Sequence, residues 1–291
     1  MKSFFARLIE KYFDKNNYKD ANKNAAEAIE NGAFVPEKEI DISEAISNYQ
    51  TITFKGRTVH IINDKHTKQN ILFYFHGGTY TFPPSKYHYQ KIEKLAKKLN
   101  LKVVFPLYGR VPEHNYEEEF PILCDLYQKF YDPDVKIFMG GDSAGGGLTC
   151  GLCYKFKEDG FPLPRAIILL SPWLNIISDN PEFEKYEATD HMVSAKGPRT
   201  ISNLWGNGHP EIKYTSPLLG PVEDLPRVHL YASKVELLYP DIKLFADKLK
   251  GENIIHFYDD MSHDFFFYPL IREARQAFKD IEKDLKKVID D

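Results

Sequence analysis

The apolar and polar positions of this 291-residue chain fall into two regimes. In the first thirty residues they recur at helical spacing. Phe4, Phe5, Leu8, Ile9, Tyr12 and Phe13 make one apolar face over residues 4–13, a face that needs something to cover, and 18–30 reads as a weaker second helix. A polar link marked by Asn31, Gly32 and Pro36 follows. From residue 49 the pattern changes to short runs rich in β-branched and aromatic residues, at 49–54, 58–62, 71–75, 102–107, 135–139, 166–170, 228–232 and 254–258, which predict eight strands. Helical spacing fills most of the later gaps, at 86–99, 116–130, 145–157 and 239–249, with a last helix near 271–289. Alternation of this kind predicts an α/β fold, a mostly parallel eight-stranded sheet flanked by helices, with ligands bound beyond the carboxyl ends of the strands. One interval breaks it: more than fifty residues rich in Pro, Asn and aromatics separate the strands at 166–170 and 228–232, with weak helices at 181–186 and 196–205. Excursions of that length usually form lids or binding loops.

The candidate chemistry sits where an apolar run ends in glycines. Gly141, Asp142, Ser143, Ala144 and Gly145 form G-x-S-x-G between Ile137, Phe138 and Met139 on one side and helically spaced Leu148, Leu152 and Phe156 on the other. In such a strand–turn–helix setting the small flanking residues let the chain fold back sharply, which exposes a serine hydroxyl beside the free N–H groups of the helix's first turn. Ser143 is therefore the candidate nucleophile. Neither a dinucleotide fingerprint nor a phosphate loop is present, so nucleotide binding has no support.

Three further pieces accompany it. His76, Gly77, Gly78, Thr79 and Tyr80 follow the strand at 71–75, and small residues there let backbone N–H groups face a reacting carbonyl oxygen. Of ten histidines, His263 alone lies in a loop after the last strand and before the last helix, the place from which a base can approach; His229 and His256 fall inside strand runs, and His60, His66, His88, His114, His191 and His209 have no comparable setting. The orienting acid follows the strand at 228–232: Glu236 is best placed and Asp241 is the competitor. No metal-ligand spacing appears, and no cofactor is expected.

Together these stretches resemble the α/β-hydrolase fold, and more narrowly the hormone-sensitive-lipase-like esterases. His76 to Thr79 is similar to the family's H-G-G-G, Tyr108 to His114 to its Y-R-L-A-P-E-H, Gly141 to Gly145 to its G-D-S-A-G, and Met261 to His263 to its M-x-H. The stretches beginning at Ser171 and Ser216 resemble others, so the likeness runs from about residue 50 to the end. It implies Ser143 as nucleophile, His263 as base and Glu236 as acid, an oxyanion hole from the N–H groups of Gly78, Thr79 and Ala144, a catalytic domain at 41–291, and a cap made of 1–40 with an insertion at 174–215. Two positions depart from the family: Thr79 replaces the third glycine, and Glu236 replaces the commoner Asp with Ser233 where a glycine usually precedes it.

Composition narrows the partners. A net charge of −4 with both signs interspersed gives no footprint for nucleic acid, and no run reaches the length of a membrane span. Three cysteines do not make a disulfide framework; Cys150 and Cys153 read as core thiols, and a cytoplasmic location follows. The expected activity is hydrolysis of short-chain esters by a serine carboxylesterase. A small-molecule ester is the partner, no lipid-binding helix is evident, no membrane partner is expected, and a homo-oligomer is compatible with the sequence. A non-catalytic binder on the same fold, or an amidase or peptidase, stands as the alternative. The aromatics Trp173, Phe183 and Trp205 are expected to close over the acyl pocket.

Overall fold

The computed structural model describes residues 2–195 and 198–291. Among these, eight strands form one sheet: β1 (Tyr49–Phe54), β2 (Arg57–Ile62), β3 (Asn70–Phe75), β4 (Leu101–Pro106), β5 (Ile137–Asp142), β6 (Ala166–Leu170), β7 (Arg227–Ser233) and β8 (Ile254–Tyr258), in the spatial order β1-β2-β4-β3-β5-β6-β7-β8. Pairings of β1 with β2 and β2 with β4 are antiparallel; all others are parallel. Strand character follows position. The edge strand β1 keeps exposed polar residues, whereas central β6 is buried along its whole length and has no polar alternation.

Both faces of the sheet are covered. On one lie α4 (Tyr116–Phe130), α5 (Ser143–Asp159) and α8 (Tyr239–Lys248), which bring Phe120, Tyr127, Leu148, Phe156 and Phe245 into one apolar cluster. Onto the other pack α3 (Lys86–Leu99) and α9 (Arg272–Asp290), through Tyr89, Ile92, Ile281 and Leu285, with Ala6 and Phe13 of α1 (Phe4–Lys15) at the margin. The remaining helices are α2 (Ala21–Glu30), α6 (Phe183–Tyr186) and α7 (Pro198–Trp205); α2 packs against α7, so α2 and the α7 part of the long insertion share one layer. Cys124, Cys150 and Cys153 are buried free thiols. No helix among the described residues is long and apolar enough to cross a membrane.

Three local differences from the sequence pattern have physical causes. Strand β5 runs on through Gly140, Gly141 and Asp142, because those residues pair with Tyr74 and Phe75 on one side and Ile168 to Leu170 on the other; helix α5 then starts at Ser143, so the turn is confined to that one residue. The second helix starts at Ala21, after a left-handed Asn17 and a short tight turn. The third concerns α1. It buries Ala6, Glu10 and Phe13, while Phe4, Phe5, Leu8 and Tyr12 of the expected buried face point to solvent.

Candidate active site

Five strands deliver their following residues to one place. Ser143 comes directly after β5, His76 after β3, Ser171 after β6, Glu236 after β7 and His263 after β8. Ser143 is held in the left-handed region (φ 48°), the strained turn that lifts its hydroxyl off the sheet. Gly145 makes this possible: a Cβ there would run into the carbonyl groups of Phe75 and His76, so only glycine lets α5 come so close to the end of β3. Ser143 Oγ lies 2.9 Å from His263 Nε2. Both residues are almost fully buried.

On the far side of the imidazole, Nδ1 faces Glu236 Oε1 at 3.7 Å, longer than a hydrogen bond. The other oxygen of Glu236 is fixed: Ser171 Oγ donates to Oε2 at 2.6 Å and the Ser233 N–H at 3.1 Å. Oε1 and Nδ1 have no other partner among the described residues, so each is left for the other. Asp241, the competing acid, lies on α8 and accepts from Asn180 Nδ2 at 2.6 Å; burial pushes its carboxyl up to about 6. It is not brought to His263.

The sequence did not reveal three other polar residues near the histidine. Asp190, from the insertion, is buried and accepts backbone N–H groups from Leu237 (2.8 Å), Met192 (2.8 Å) and His263 (3.3 Å), which ties the insertion to the loops of Glu236 and His263. Asp264 adopts a left-handed conformation (φ 51°) that turns its Oδ2 to within 3.4 Å of His263 Nε2. His88 is the third. The backbone N–H of Ser85 donates to His88 Nδ1 at 3.0 Å, so Nδ1 is the acceptor of the ring and Nε2 the donor, facing Asp142 Oδ2 at 3.2 Å. No local pattern marks the contacts of Asp190 and His88, since each joins elements far apart in the chain, and Asp264, although next to His263 in sequence, reaches it only through its left-handed backbone.

Electrostatics follow from this geometry. Burial alone would depress His263, but the carboxylates facing it, Asp264 first and then Glu236 and Asp190, act the other way and raise it. Asp264 is itself pushed well above the ordinary carboxylate range by burial, with Asp142 and Glu236 adding to the effect against His263. These two shifts compete for one proton. A neutral Asp264 no longer favours imidazolium, and burial beside two carboxylates makes neutral Asp264 the state that holds; the pull left on His263 is chiefly that of Glu236.

The loop after β3 forms the opposite wall. Gly77 N–H donates to Asp142 Oδ2 at 2.8 Å, and a side chain on Gly77 would collide with that carboxylate. Tyr108 supports the loop from behind: its hydroxyl donates to the His76 carbonyl at 2.6 Å and its ring stacks on His76 at 4.5 Å. Burial pushes His76 down to about 3, so it stays neutral. Among the described residues the N–H groups of Gly78 and Thr79 have no acceptor, and Ala144 stands in the first turn of α5, where helix N–H groups are free. Thr79 holds φ at 54°, a strained value for a β-branched residue.

A cavity of about 30 Å³ remains between these walls, lined by Ser143, His263 and Thr79 below and by Trp173, Phe183 and Val193 above. Trp205 does not line it. Its ring stacks on Tyr80 at 4.1 Å with an interplanar angle of 8°, and so it buttresses the loop from outside.

Comparison with known proteins bears on the family and the fold. A family described as alpha/beta hydrolase fold matches residues 72–267. Similar proteins include an esterase of Acinetobacter venetianus, 26% identical over 223 residues that span 72% of this chain and 73% of the relative. An acetyl-hydrolase of Streptomyces hygroscopicus is 24% identical over 216 residues, 72% of each chain. An esterase from the bacterial hormone-sensitive lipase family superposes with a TM-score of 0.81 over 99% of both chains at 23% identity, a likeness of fold.

Proposed function

Since the chain belongs to the alpha/beta-hydrolase family, we propose that it is a serine carboxylesterase that hydrolyses short-chain acyl esters through an acyl-enzyme. The observation that carries this reading is the buried 2.9 Å contact between Ser143 Oγ and His263 Nε2, with Glu236 facing Nδ1. Ser143 Oγ attacks the ester carbonyl while Nε2 takes its proton; Glu236 stabilises the imidazolium, and its 3.7 Å separation shortens as that charge develops. The oxyanion is received by the N–H groups of Gly78, Thr79 and Ala144, of which a single donor is worth about 2.7–4 kcal/mol. Imidazolium then protonates the leaving alcohol, and water repeats the sequence on the acyl-enzyme.

Residues 1–40 and 174–215 act as a cap in this reading, supported by Asn22 of α2 and Phe183, Val193 and Ser194 of the insertion, which line the chamber. Acyl length is limited by Trp173, Phe183 and Thr79. Acetyl to about hexanoyl esters give the highest kcat/KM, and each further methylene in a filled pocket costs about 1–3 kcal/mol. The relatives described as an esterase and an acetyl-hydrolase support the same class.

The test is Ser143→Ala with p-nitrophenyl esters of graded length, together with mass spectrometry after a fluorophosphonate. Wild type is expected to hydrolyse the short esters and gain one adduct on Ser143, and the variant to do neither while keeping its fold. Full activity in Ser143→Ala would end this reading. An inert wild type that still binds esters would make the protein a binder.

A further inference from the structure

Helix α1 turns an aromatic face outward. Its inner side is firmly attached: Ser3 donates from N and Oγ to the Glu273 carboxylate (2.7 and 2.8 Å), Glu10 pairs with Lys2 at 2.7 Å and accepts from Ser262 Oγ at 2.9 Å, and Phe13 packs edge-on against Tyr268. The outer side carries Phe4 (70% exposed), Phe5 (55%), Leu8 (45%) and Tyr12 (55%), followed by Tyr18. Four large apolar side chains on one helix within nine residues form a patch, unlike the single exposed apolar residues common on monomers. Helical spacing puts Arg7 and Lys11 on one flank of this patch and Lys15 at its far end; all three are exposed, and none meets a carboxylate at ion-pair distance among the described residues. Residues 1–19 hold five basic and two acidic side chains in a chain whose net charge is −4. Both acids are occupied, Glu10 by Lys2 and Asp14 by His191 at 2.8 Å. The side chains of this segment carry a net positive charge.

We propose that this face seats α1 in the headgroup region of an anionic phospholipid bilayer, with the aromatics and Leu8 inserted and Arg7, Lys11 and Lys15 at the phosphates. Aromatic and aliphatic side chains on one face with cations at its border suit an interfacial helix. A second copy of the chain fits less well. A two-fold pairing of α1 helices would set these cations against their own counterparts, with Asp14 already engaged. Lipid docking also has a place in the architecture: Glu10 joins α1 to Ser262, the neighbour of His263, and α2 continues from α1 to the chamber through Asn22. A docked molecule presents its chamber to esters dissolved in the bilayer. The exposed face bears on one of the grounds for expecting no membrane partner, that no lipid-binding helix is evident; the charge pattern and the lack of a membrane-span-length run are untouched by it.

The experiment is sedimentation of the full chain with phosphatidylcholine vesicles, with and without phosphatidylglycerol. Wild type is expected to bind the anionic vesicles about tenfold or more above the neutral ones. Phe4→Ser with Phe5→Ser, and separately Lys11→Glu with Lys15→Glu, should each lower that binding about tenfold, with hydrolysis of soluble p-nitrophenyl acetate unchanged and the fold intact by circular dichroism. Binding is read directly, so failure here is distinguishable from failure of the esterase reading. Equal binding to neutral vesicles, no binding, or indifference to both variants would overturn the proposal. So would a wild-type dimer in analytical ultracentrifugation that Phe4→Ser with Phe5→Ser converts to monomer, which would give the face to a second copy.

Discussion

Two fully buried carboxylates flank the Ser143–His263 pair, and they are treated in opposite ways. Asp142 is engaged at both oxygens: Tyr74 Oη donates to Oδ1 at 2.7 Å, and Gly77 N–H and His88 Nε2 reach Oδ2 at 2.8 and 3.2 Å. Glu236 is saturated on one oxygen only, and the other faces His263 with nothing else to bond. A carboxylate with both oxygens engaged is a clamp, here between the end of β5, the loop after β3 and α3. One left half-engaged keeps its remaining charge for a neighbour that becomes cationic. Residue type and burial are alike at the two positions; the count of donors separates structural use from chemical use.

The contrast breaks most sharply at Glu236. Glu236→Gln removes the charge and keeps the contacts to Ser171 and Ser233, so kcat for a short p-nitrophenyl ester is expected to fall about 10³–10⁴-fold with thermal stability nearly unchanged. A fall under tenfold would show that Glu236 is not the acid of the imidazole.

Asp142→Asn should show the reverse profile, with stability reduced by about 2–3 kcal/mol in urea denaturation, because the amide gives Gly77 N–H and His88 a neutral acceptor in place of a charged one and forces the buried Tyr74 hydroxyl to turn from donor to acceptor. Burial alone would raise Asp142, but His88, with help from Tyr74, holds its carboxyl below the ordinary value. The unfolded chain therefore takes up the proton first, at about pH 3.9, and the folded one only lower. The stabilisation by Asp142 is present above the unfolded value and is lost as pH falls through the folded one. Asn should remove that acid-side slope. A variant as stable as wild type from pH 7 to pH 4 would break the comparison.

A smaller effect belongs to Thr79, whose φ of 54° is strained for its residue type. Thr79→Gly should relieve about 1 kcal/mol and move the preferred acyl chain to greater length, measured by melting temperature and by the p-nitrophenyl series. No change in length preference would remove Thr79 from the pocket wall. Smallest of all, Asp264→Asn should leave the acidic limb of kcat/KM within about half a pH unit, since an amide imitates a carboxyl that is already neutral. A limb displaced downward by a full unit would mean that Asp264 is charged and shares the imidazolium with Glu236.

The strands were legible because each is a compact run of β-branched and aromatic residues; the end of β5 was not, because Gly140 and Gly141 carry no propensity and are strand only through their neighbours. Ser143 and His263 stand out by motif and chain position. The choice between Glu236 and Asp241 is five residues wide, and it turns on where α8 begins: Asp241 falls in that helix's first turn and bonds Asn180. His88 and Asp190 meet their partners across 54 and 73 residues of chain, so periodicity carries no trace of them. For α1 the spacing gives the helix but not which side is covered, and the buried Glu10 shows how a polar residue with Lys2 and Ser262 as partners can win the inward position from Phe4.

A chamber of about 30 Å³ has room for about one water molecule. An ester larger than this chamber enters only when the upper layer moves, and where the open state is a fraction of the molecules, that fraction multiplies the apparent affinity for every substrate alike. It cancels from the ratio of two kcat/KM values and stays in each absolute one. Substrate preference is thus a property of the walls near Ser143, whereas overall speed at low substrate is a property of an equilibrium set by how firmly α2, α6 and α7 hold to one another and to the sheet below.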